Sequence, residues 1–473
     1  RYNAEQIFTL MREADKQGVR VLCLPELCLT GYTCGDLFLQ DTLLRGAEEG
    51  LRTILEATRN LDMVTAIGLP VRCNNKLYNC AAVVHKGKVL GLVPKTHIPN
   101  YGEFYEGRWF TSARELSDTD FSIPFAGQES VEFSPAQLFR CASMPELVIG
   151  VEICEDLWVA EPPSARLCAE GATLILNPSA SDEVVGKDGY RRQLVAGQSA
   201  RLLCGYVYAD AGEGESTTDL VFSGHNLIAE NGALLAERRF HTGLTVSEID
   251  VQRLAYERRR MSTFPPSGRE IFPNYFDLEL GTTKLTRYIS PNPFVPDDAG
   301  DRAERCNEIL KIAALGLTKR LEHTRARTAV VGLSGGLDST LAILITAVAM
   351  KLLGRPSSDI IAVTMPCFGT TDRTRDNAME LAERLGATLK RIDIGEAVKV
   401  HFKDIGQSME DHSVTFENGQ ARERTQVLMD IANQTGGMVI GTGDLSELAL
   451  GWATYNGDHM SMYAVNAGIP KTL

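Results

Sequence analysis

The chain is an α/β protein in two parts. Residues 1–285 are expected to form two sheets packed between helix layers, and residues 301–473 a doubly wound parallel sheet. Three observations predict this. Short apolar runs alternate with segments of helical period along the whole length. In the first part some runs pair across tight turns while others are separated by helices, a mixture that stacks sheet on sheet. In the second part strand and helix alternate strictly, the pattern of a parallel sheet with helical crossovers.

The elements follow in order. Arg1–Gly18 has an amphipathic helix pattern. Strands are predicted over 19–25, 63–70, 78–95, 146–153, 172–179, 204–211 and 220–238, with a helix over 190–203. The run 78–95 folds back at Lys86-Gly87 and the run 220–238 at Asn231-Gly232, both hairpin signals. Residues 286–300 carry three prolines and no apolar period, which predicts a linker. Helices are then predicted over 301–322, 339–353, 374–386 and 421–436, and strands over 328–333, 359–366, 388–394 and 438–442. An α/β layer normally opens on a strand, yet the first residues read as a helix and the last, NAGIPKTL, as a site loop. The expectation is therefore a piece of a longer chain, incomplete at its C-terminus.

Composition narrows the class. The chain has 473 residues, too many for one ordinary core, and is 44% hydrophobic and 23% charged, as soluble proteins are. A net charge of -13 argues against a nucleic-acid partner, which needs a basic face. No run approaches the ~20 apolar residues that span a bilayer. The start has no signal-peptide pattern. Eleven cysteines without a CxxC pair fit reduced thiols, and hence a cytoplasmic protein.

The sharpest motif is GLSGGLDS, formed by Gly332, Leu333, Ser334, Gly335, Gly336, Leu337, Asp338 and Ser339. It lies between an apolar strand and a helix. Glycines let the backbone approach an anion, and a helix N-terminus offers free N–H groups and positive potential. Ser334 and Ser339 add hydroxyl donors, and Asp338 can hold Mg2+ on phosphates. No Gly-Lys-Ser/Thr follows, so this is not a Walker A loop. The segment resembles the ATP pyrophosphatase, or PP-loop, family, whose Rossmann-like domain splits ATP and transfers AMP to a substrate oxygen.

Residues 441–473, GTGDLSELALGWATYNGDHMSMYAVNAGIPKTL, resemble the NAD synthetase branch of that family. The resemblance implies that Thr442 and Lys471 contact ATP. It implies that Glu447 ligates Mg2+ and approaches the nicotinic acid end of deamido-NAD. Trp452, Ala453, Thr454 and Tyr455 would line the deamido-NAD site with Asn418, and Arg422 and Arg424 lie near Asn418 in the sequence.

In the first part, three candidate catalytic residues each follow a strand. Glu26 sits in LPELCLTGY, Lys95 in LVPKTHIPNYGEFYEGRWF and Cys154 in VEICEDLW. A thiol needs a base to become a nucleophile, and Glu26 can serve. Acyl transfer creates an oxyanion that Lys95 can stabilise, and Glu26 can hand the proton to leaving ammonia. Taken together these segments resemble the nitrilase superfamily, an α-β-β-α sandwich with a Glu-Lys-Cys triad that hydrolyses amides through a thioester. The resemblance spans almost all of residues 1–285. It extends to NPSASDEVVGK (177–187), which matches the amino-acid-holding segment of the glutaminase branch. Ser181 and Lys187 are its implied glutamine contacts, and Tyr32, Tyr101 and Glu155 match positions near the pocket.

The combination resembles the bacterial glutamine-dependent NAD(+) synthetases as a class. It implies a ligase that uses glutamine, ATP and deamido-NAD, with Mg2+, in a homo-oligomer. Three other readings use the same motifs: another PP-loop glutamine amidotransferase, an ammonia-using synthetase with a dead amidase, and a non-catalytic glutamine or nucleotide sensor. The intact Glu26, Lys95 and Cys154 set speaks against the dead amidase, and the presence of both full residue sets speaks against the sensor. Ammonia is mostly protonated at neutral pH, so the chemistry calls for a closed route from one site to the other. During glutamine turnover, isotope-labelled bulk ammonia should then stay out of the product; full exchange with bulk would overturn the closed route.

Overall fold

The computed structural model describes residues 1–116, 121–217, 220–268, 270–368, 372–457 and 459–473, leaving aside the side chains of 372–375. Two compact units divide the chain, Arg1–Tyr288 and Ile289–Leu473.

In the first unit the longest apolar runs become strands covered on both faces. Helix α1 (Tyr2–Lys16) and helix α2 (Asp41–Thr58) lie on a six-stranded sheet. It comprises β1 (Val21–Cys23), β2 (Val64–Cys73), β3 (Lys76–His85), β4 (Lys88–Pro94), β5 (Phe121–Phe125) and β6 (Gln128–Phe133), in the order β1-β2-β3-β4-β6-β5. A seven-stranded sheet follows: β7 (Phe139–Cys141), β8 (Val148–Val151), β9 (Leu174–Ser179), β10 (Gly205–Asp210), β11 (Asn226–Glu230), β12 (Ala233–Arg238) and β13 (Asn274–Phe276). Its order is β12-β11-β10-β9-β8-β7-β13, with α3 (Pro163–Ala169) and α4 (Lys187–Leu202) packed on it and α5 (Val251–Arg260) following β12 in the chain.

Successive residues of a strand point to opposite faces, so each strand feeds two cores. Val64 and Ala66 of β2 meet Ile149, Val151, Leu174 and Leu176 between the sheets. Ile67, Leu69 and Val71 face the other way, onto Ile7, Met11, Leu51 and Ile54 of α1 and α2. On the far side Ile175 and Tyr206 pack on Leu167 and Val195 of α3 and α4. The layers are thus helix, sheet, sheet, helix, as the resemblance implied. Lys86-Gly87 and Asn231-Gly232 both turn at positive φ, the geometry that joins antiparallel strands through two residues.

The second unit carries a five-stranded parallel sheet: β14 (Ala329–Gly332), β15 (Ile360–Thr364), β16 (Thr388–Arg391), β17 (Met438–Gly441) and β18 (Tyr463–Ala464). The order β16-β15-β14-β17-β18 reverses direction at β14, which makes the sheet doubly wound. The helices are α6 (Ala299–Thr324), α7 (Leu337–Leu352), α8 (Asp372–Leu385), α9 (Gly395–Ile405), α10 (Val414–Thr435) and α11 (Leu445–Leu450). Among the described residues no helix is long and apolar enough to cross a membrane.

Several boundaries differ from the sequence expectation. Only Val21–Cys23 of the run 19–25 pairs as strand. β5 to β7, β13 and β18 have no counterpart among the predicted strands; they are two to six residues long, and β13 depends on a distant partner, Asn274 pairing with Phe139 of β7. Helix α10 starts at Val414, not Ala421, because Gly419 is inside it: a Cβ there would lie 2.5 Å from Phe402 of α9. That glycine serves a close helix contact, not a turn.

Gly68 of β2 has a similar task for the segment after β1. A Cβ at Gly68 would sit 2.3 Å from Leu27 N and 2.6 Å from Pro25 O, so the strand must be bare there for the Glu26 segment to lie on it. Gly68→Ala should lower the stability of this unit by about 1–3 kcal/mol, the usual cost of overpacking. Thermal unfolding of the full chain checks this; an unshifted transition would mean that the segment can move away freely.

Candidate active sites

Glu26, Lys95 and Cys154 are brought together by the ends of three strands. Glu26 follows β1 and is buried. Its Oε1 accepts from Lys95 Nζ at 2.6 Å and from Asn79 Nδ2 at 2.6 Å, and its Oε2 from Ala180 N at 2.9 Å. Lys95 follows β4, has no exposed surface, and also donates to Glu106 at 2.7 and 2.9 Å. Tyr32 donates to Glu106 Oε1 at 2.9 Å. Cys154 opens the short 3₁₀ turn Cys154–Leu157 after β8, at a left-handed φ of 42°. Asp156 ties this turn to the stretch after Lys95: it accepts from Ile153 N at 3.0 Å and from His97 N at 2.8 Å.

The charges act on one another. Burial raises the Cys154 thiol well above its ordinary pKa; Glu26 and Glu106 add to this and Lys95 opposes it. The resting thiol is therefore protonated, and attack requires a base. Burial works against a charged Lys95, but Glu106 and Glu26 outweigh it and hold the ammonium on. Glu106 is itself raised by burial, with Lys95 opposing and Glu26 reinforcing.

The other residues expected around this pocket form two groups. Tyr101 donates to Glu155 Oε1 at 2.8 Å. Ser181 is buried; its N–H reaches Asp210 Oδ1 at 2.8 Å and its Oγ accepts from Arg191 at 3.0 Å. Lys187 opens α4, forms an ion pair with Asp182 and lies 5.5 Å over the rings of Phe104 and Trp158. Its charge is thus already answered within the chain. Two contributors were missed in the sequence. Glu106 stood in the Lys95 segment but was not singled out there. Arg191, fully buried, lies on the predicted helix over 190–203 but was not singled out as a site residue.

In the second unit the loop between β14 and α7 carries the GLSGGLDS motif. Ser334 and Ser339 hold its shape: Ser339 Oγ accepts from Ser334 N at 3.3 Å, and the two hydroxyls lie 3.2 Å apart. Asn466 donates to Asp338 O at 2.8 Å and to Thr442 O at 3.1 Å, joining this loop to the end of β17. Asp444, not anticipated as a site residue, caps α11 by accepting from Glu447 N at 2.8 Å. Lys471 Nζ lies 3.3 Å from Asp338, 3.3 Å from Asp444 and 3.7 Å from Glu447. Asp338 and Asp444 raise its pKa.

Thr454 donates to Asn418 Oδ1 at 2.9 Å, and Arg422 reaches Tyr455 O at 3.2 Å. Trp452 and Tyr455 are 81% and 76% exposed, and Ala453 is exposed beside them. These residues form an open surface, not a closed pocket. Asp458, in the quoted pattern, lies outside the described residues.

Among the described residues no three His, Cys, Asp or Glu side chains gather to hold a metal by themselves. Mg2+ does not need such a cage: it keeps waters and takes one or two carboxylates together with substrate phosphates. Asp338 and Glu447 offer hard oxygen donors, and the ammonium of Lys471 among the carboxylates marks a point that favours a cation. The residues present fit that ion.

Two family descriptions match the chain: Carbon-nitrogen hydrolase over residues 1–259 and NAD synthase over residues 309–472. A glutamine-dependent NAD(+) synthetase of Mycobacterium leprae is 44% identical over 488 aligned positions, covering 100% of this chain and 71% of the relative. One from Thermotoga maritima is 28% identical over 475 positions, covering 99% and 76%. Among solved structures, a glutamine-dependent NAD(+) synthetase from Cytophaga hutchinsonii is 26% identical, covers 99% of this chain and 76% of its own, and has a TM-score of 0.45.

Lys471→Met would leave Asp338, Asp444 and Glu447 without their shared cation. Binding of Mg2+ or Mn2+ without nucleotide should then tighten a few-fold, as expected for losing partly exposed ion pairs. Calorimetry reads this directly; an unchanged affinity would mean that Lys471 and the metal do not compete.

Proposed function

The chain belongs to the glutamine-dependent NAD(+) synthetase family, and from that premise we propose a two-step division of labour between its units. The first unit hydrolyses glutamine. The second spends ATP to activate the nicotinate carboxylate of deamido-NAD, and ammonia completes NAD+. A cytoplasmic homo-oligomer is the expected form.

In the first unit, Glu26 takes the thiol proton as Cys154 Sγ attacks the carboxamide carbon of glutamine. Lys95 stabilises the oxyanion that forms, and its fixed position costs no reorganisation at that moment. The C–N bond breaks, Glu26 passes its proton to the leaving ammonia, and water then releases glutamate from the thioester. Glu106 holds Lys95 from its other side. Tyr32, Tyr101, Glu155, Ser181 and Lys187 form the glutamine pocket. The observation that carries this half is the buried thiol of Cys154 among Glu26, Lys95 and Glu106.

In the second unit, the backbone of Gly332 to Gly336, with Ser334 and Ser339, cradles the pyrophosphate of ATP at the start of α7. Thr442 and Lys471 complete that contact. Mg2+, held by Asp338 and Glu447, would neutralise phosphate charge when bound. Asn418, Trp452, Ala453, Thr454 and Tyr455 receive deamido-NAD. The nicotinate carboxylate attacks the α-phosphorus of ATP and pyrophosphate leaves. Ammonia then displaces AMP from the acyl adenylate, giving NAD+.

Cys154→Ala should abolish NAD+ formation with glutamine and leave formation with ammonium chloride intact, measured with deamido-NAD and ATP. Loss of both activities in a folded variant would sink this division of labour.

A further inference from the structure

The backbone of Cys154 is in a left-handed conformation, which costs a non-glycine residue roughly 1–2 kcal/mol and must be held by its surroundings. Its N–H donates to Asn177 Oδ1 at 2.9 Å. The direction of every further bond follows. An N–H must meet an oxygen, so Asn177 turns Oδ1 toward Cys154, where it also accepts from Ser179 Oγ at 2.8 Å, and Nδ2 toward Tyr206 at 2.9 Å. The Tyr206 hydroxyl accepts that bond and gives its own proton to Glu152 Oε1. Glu152 Oε2 accepts from Ser164 N at 2.7 Å. Asn177, Tyr206 and Glu152 stand on or just after three neighbouring strands, β9, β10 and β8, and all are buried. None could turn to water if a link were lost.

We infer that Asn177, Tyr206 and Glu152 are positioning residues for the nucleophile, a line of hydrogen bonds that fixes the Cys154 turn so that its thiol faces Glu26 and Lys95. This rests on the glutaminase reading of the first unit. The line also commits the Cys154 N–H to Asn177, so that group is not an oxyanion donor. Burial raises the Glu152 carboxyl to about 7, against the pull of the Tyr206 and Ser164 hydrogen bonds.

The test uses the full chain. Tyr206→Phe should lower kcat for glutamine about tenfold, since a 1 Å misplacement of a reacting group can cost about 100-fold and a loosened turn shifts the thiol by less, with KM for glutamine within about twofold. Iodoacetamide labelling of the Cys154 peptide, read by mass spectrometry, should slow in parallel, while ammonia-dependent NAD+ formation is kept. Glu152→Gln should behave alike, and the double variant should be no worse than the worse single, because both break one line. Unchanged kcat and labelling, additive losses, or variants that no longer fold would each overturn the proposal, the last by assigning these residues to stability alone. Failure of the glutaminase reading itself would look different: Cys154→Ala would then retain glutamine-dependent activity.

Discussion

A lysine ammonium with no exposed surface is the constraint on which the first unit is built. Taking such an ion out of water costs several kcal/mol even after relaxation, and the cost is met only by close and complete pairing. Lys95 is met by two carboxylates within 3 Å. Each carboxylate then needs partners of its own: Asn79 and Ala180 for Glu26, Tyr32 for Glu106. These come from β3, from the stretch after β9 and from the loop after β1, so one buried charge recruits groups from both sheets. Such a network adds little net stability, since an apolar filling would cost less. What it secures is one arrangement, because any displaced member leaves a buried charge unpaired.

That demand explains local features that look unrelated. β2 must carry glycine at position 68 because the Glu26 segment lies on its backbone. Asp156 must accept from both the Cys154 turn and the stretch after Lys95, so that the thiol and the ammonium move as one body. The thiol completes the set as a neutral guest. Its raised pKa follows from the same burial that strengthens the charges around it, and it makes the neighbouring base necessary.

Much of this was legible in the sequence, and the remainder was hidden for physical reasons. Glu26, Lys95 and Cys154 each follow a strand with a strong apolar signal, but a lone Glu, Lys or Cys in such a place is usually a solvated loop residue or a small core residue, and only the family resemblance of the three segments together singled them out. Glu106 and Arg191 were not found, because a charged residue in a loop or helix is normally solvated; only tertiary packing buries these two. β13 was invisible because its pairing with β7 joins residues far apart in the chain. The start of α10 was masked by an Asn-Gly pair that usually marks a turn. Asp444 was hidden as well, since a helix cap and a site carboxylate are written with the same residue.

The two lysines show how burial alone can assign opposite roles to one chemistry. Lys95 and Lys471 each sit among carboxylates. The side chain of Lys95 is 0% exposed, and no water can replace its partners. Lys471 is 47% exposed, and ion pairs in such a setting contribute about 0–1 kcal/mol each. The first cation is therefore a fixture, held in one place by partners that nothing can replace. The second can be exchanged at little cost, because water can take the place of its partners. The neighbouring surface follows the same logic. Trp452 and Tyr455 stay exposed just after α11, their rings left to water where the core aromatics of the first unit are buried. Burial thus separates a permanent internal charge from a replaceable surface charge, although both are the same ammonium among carboxylates.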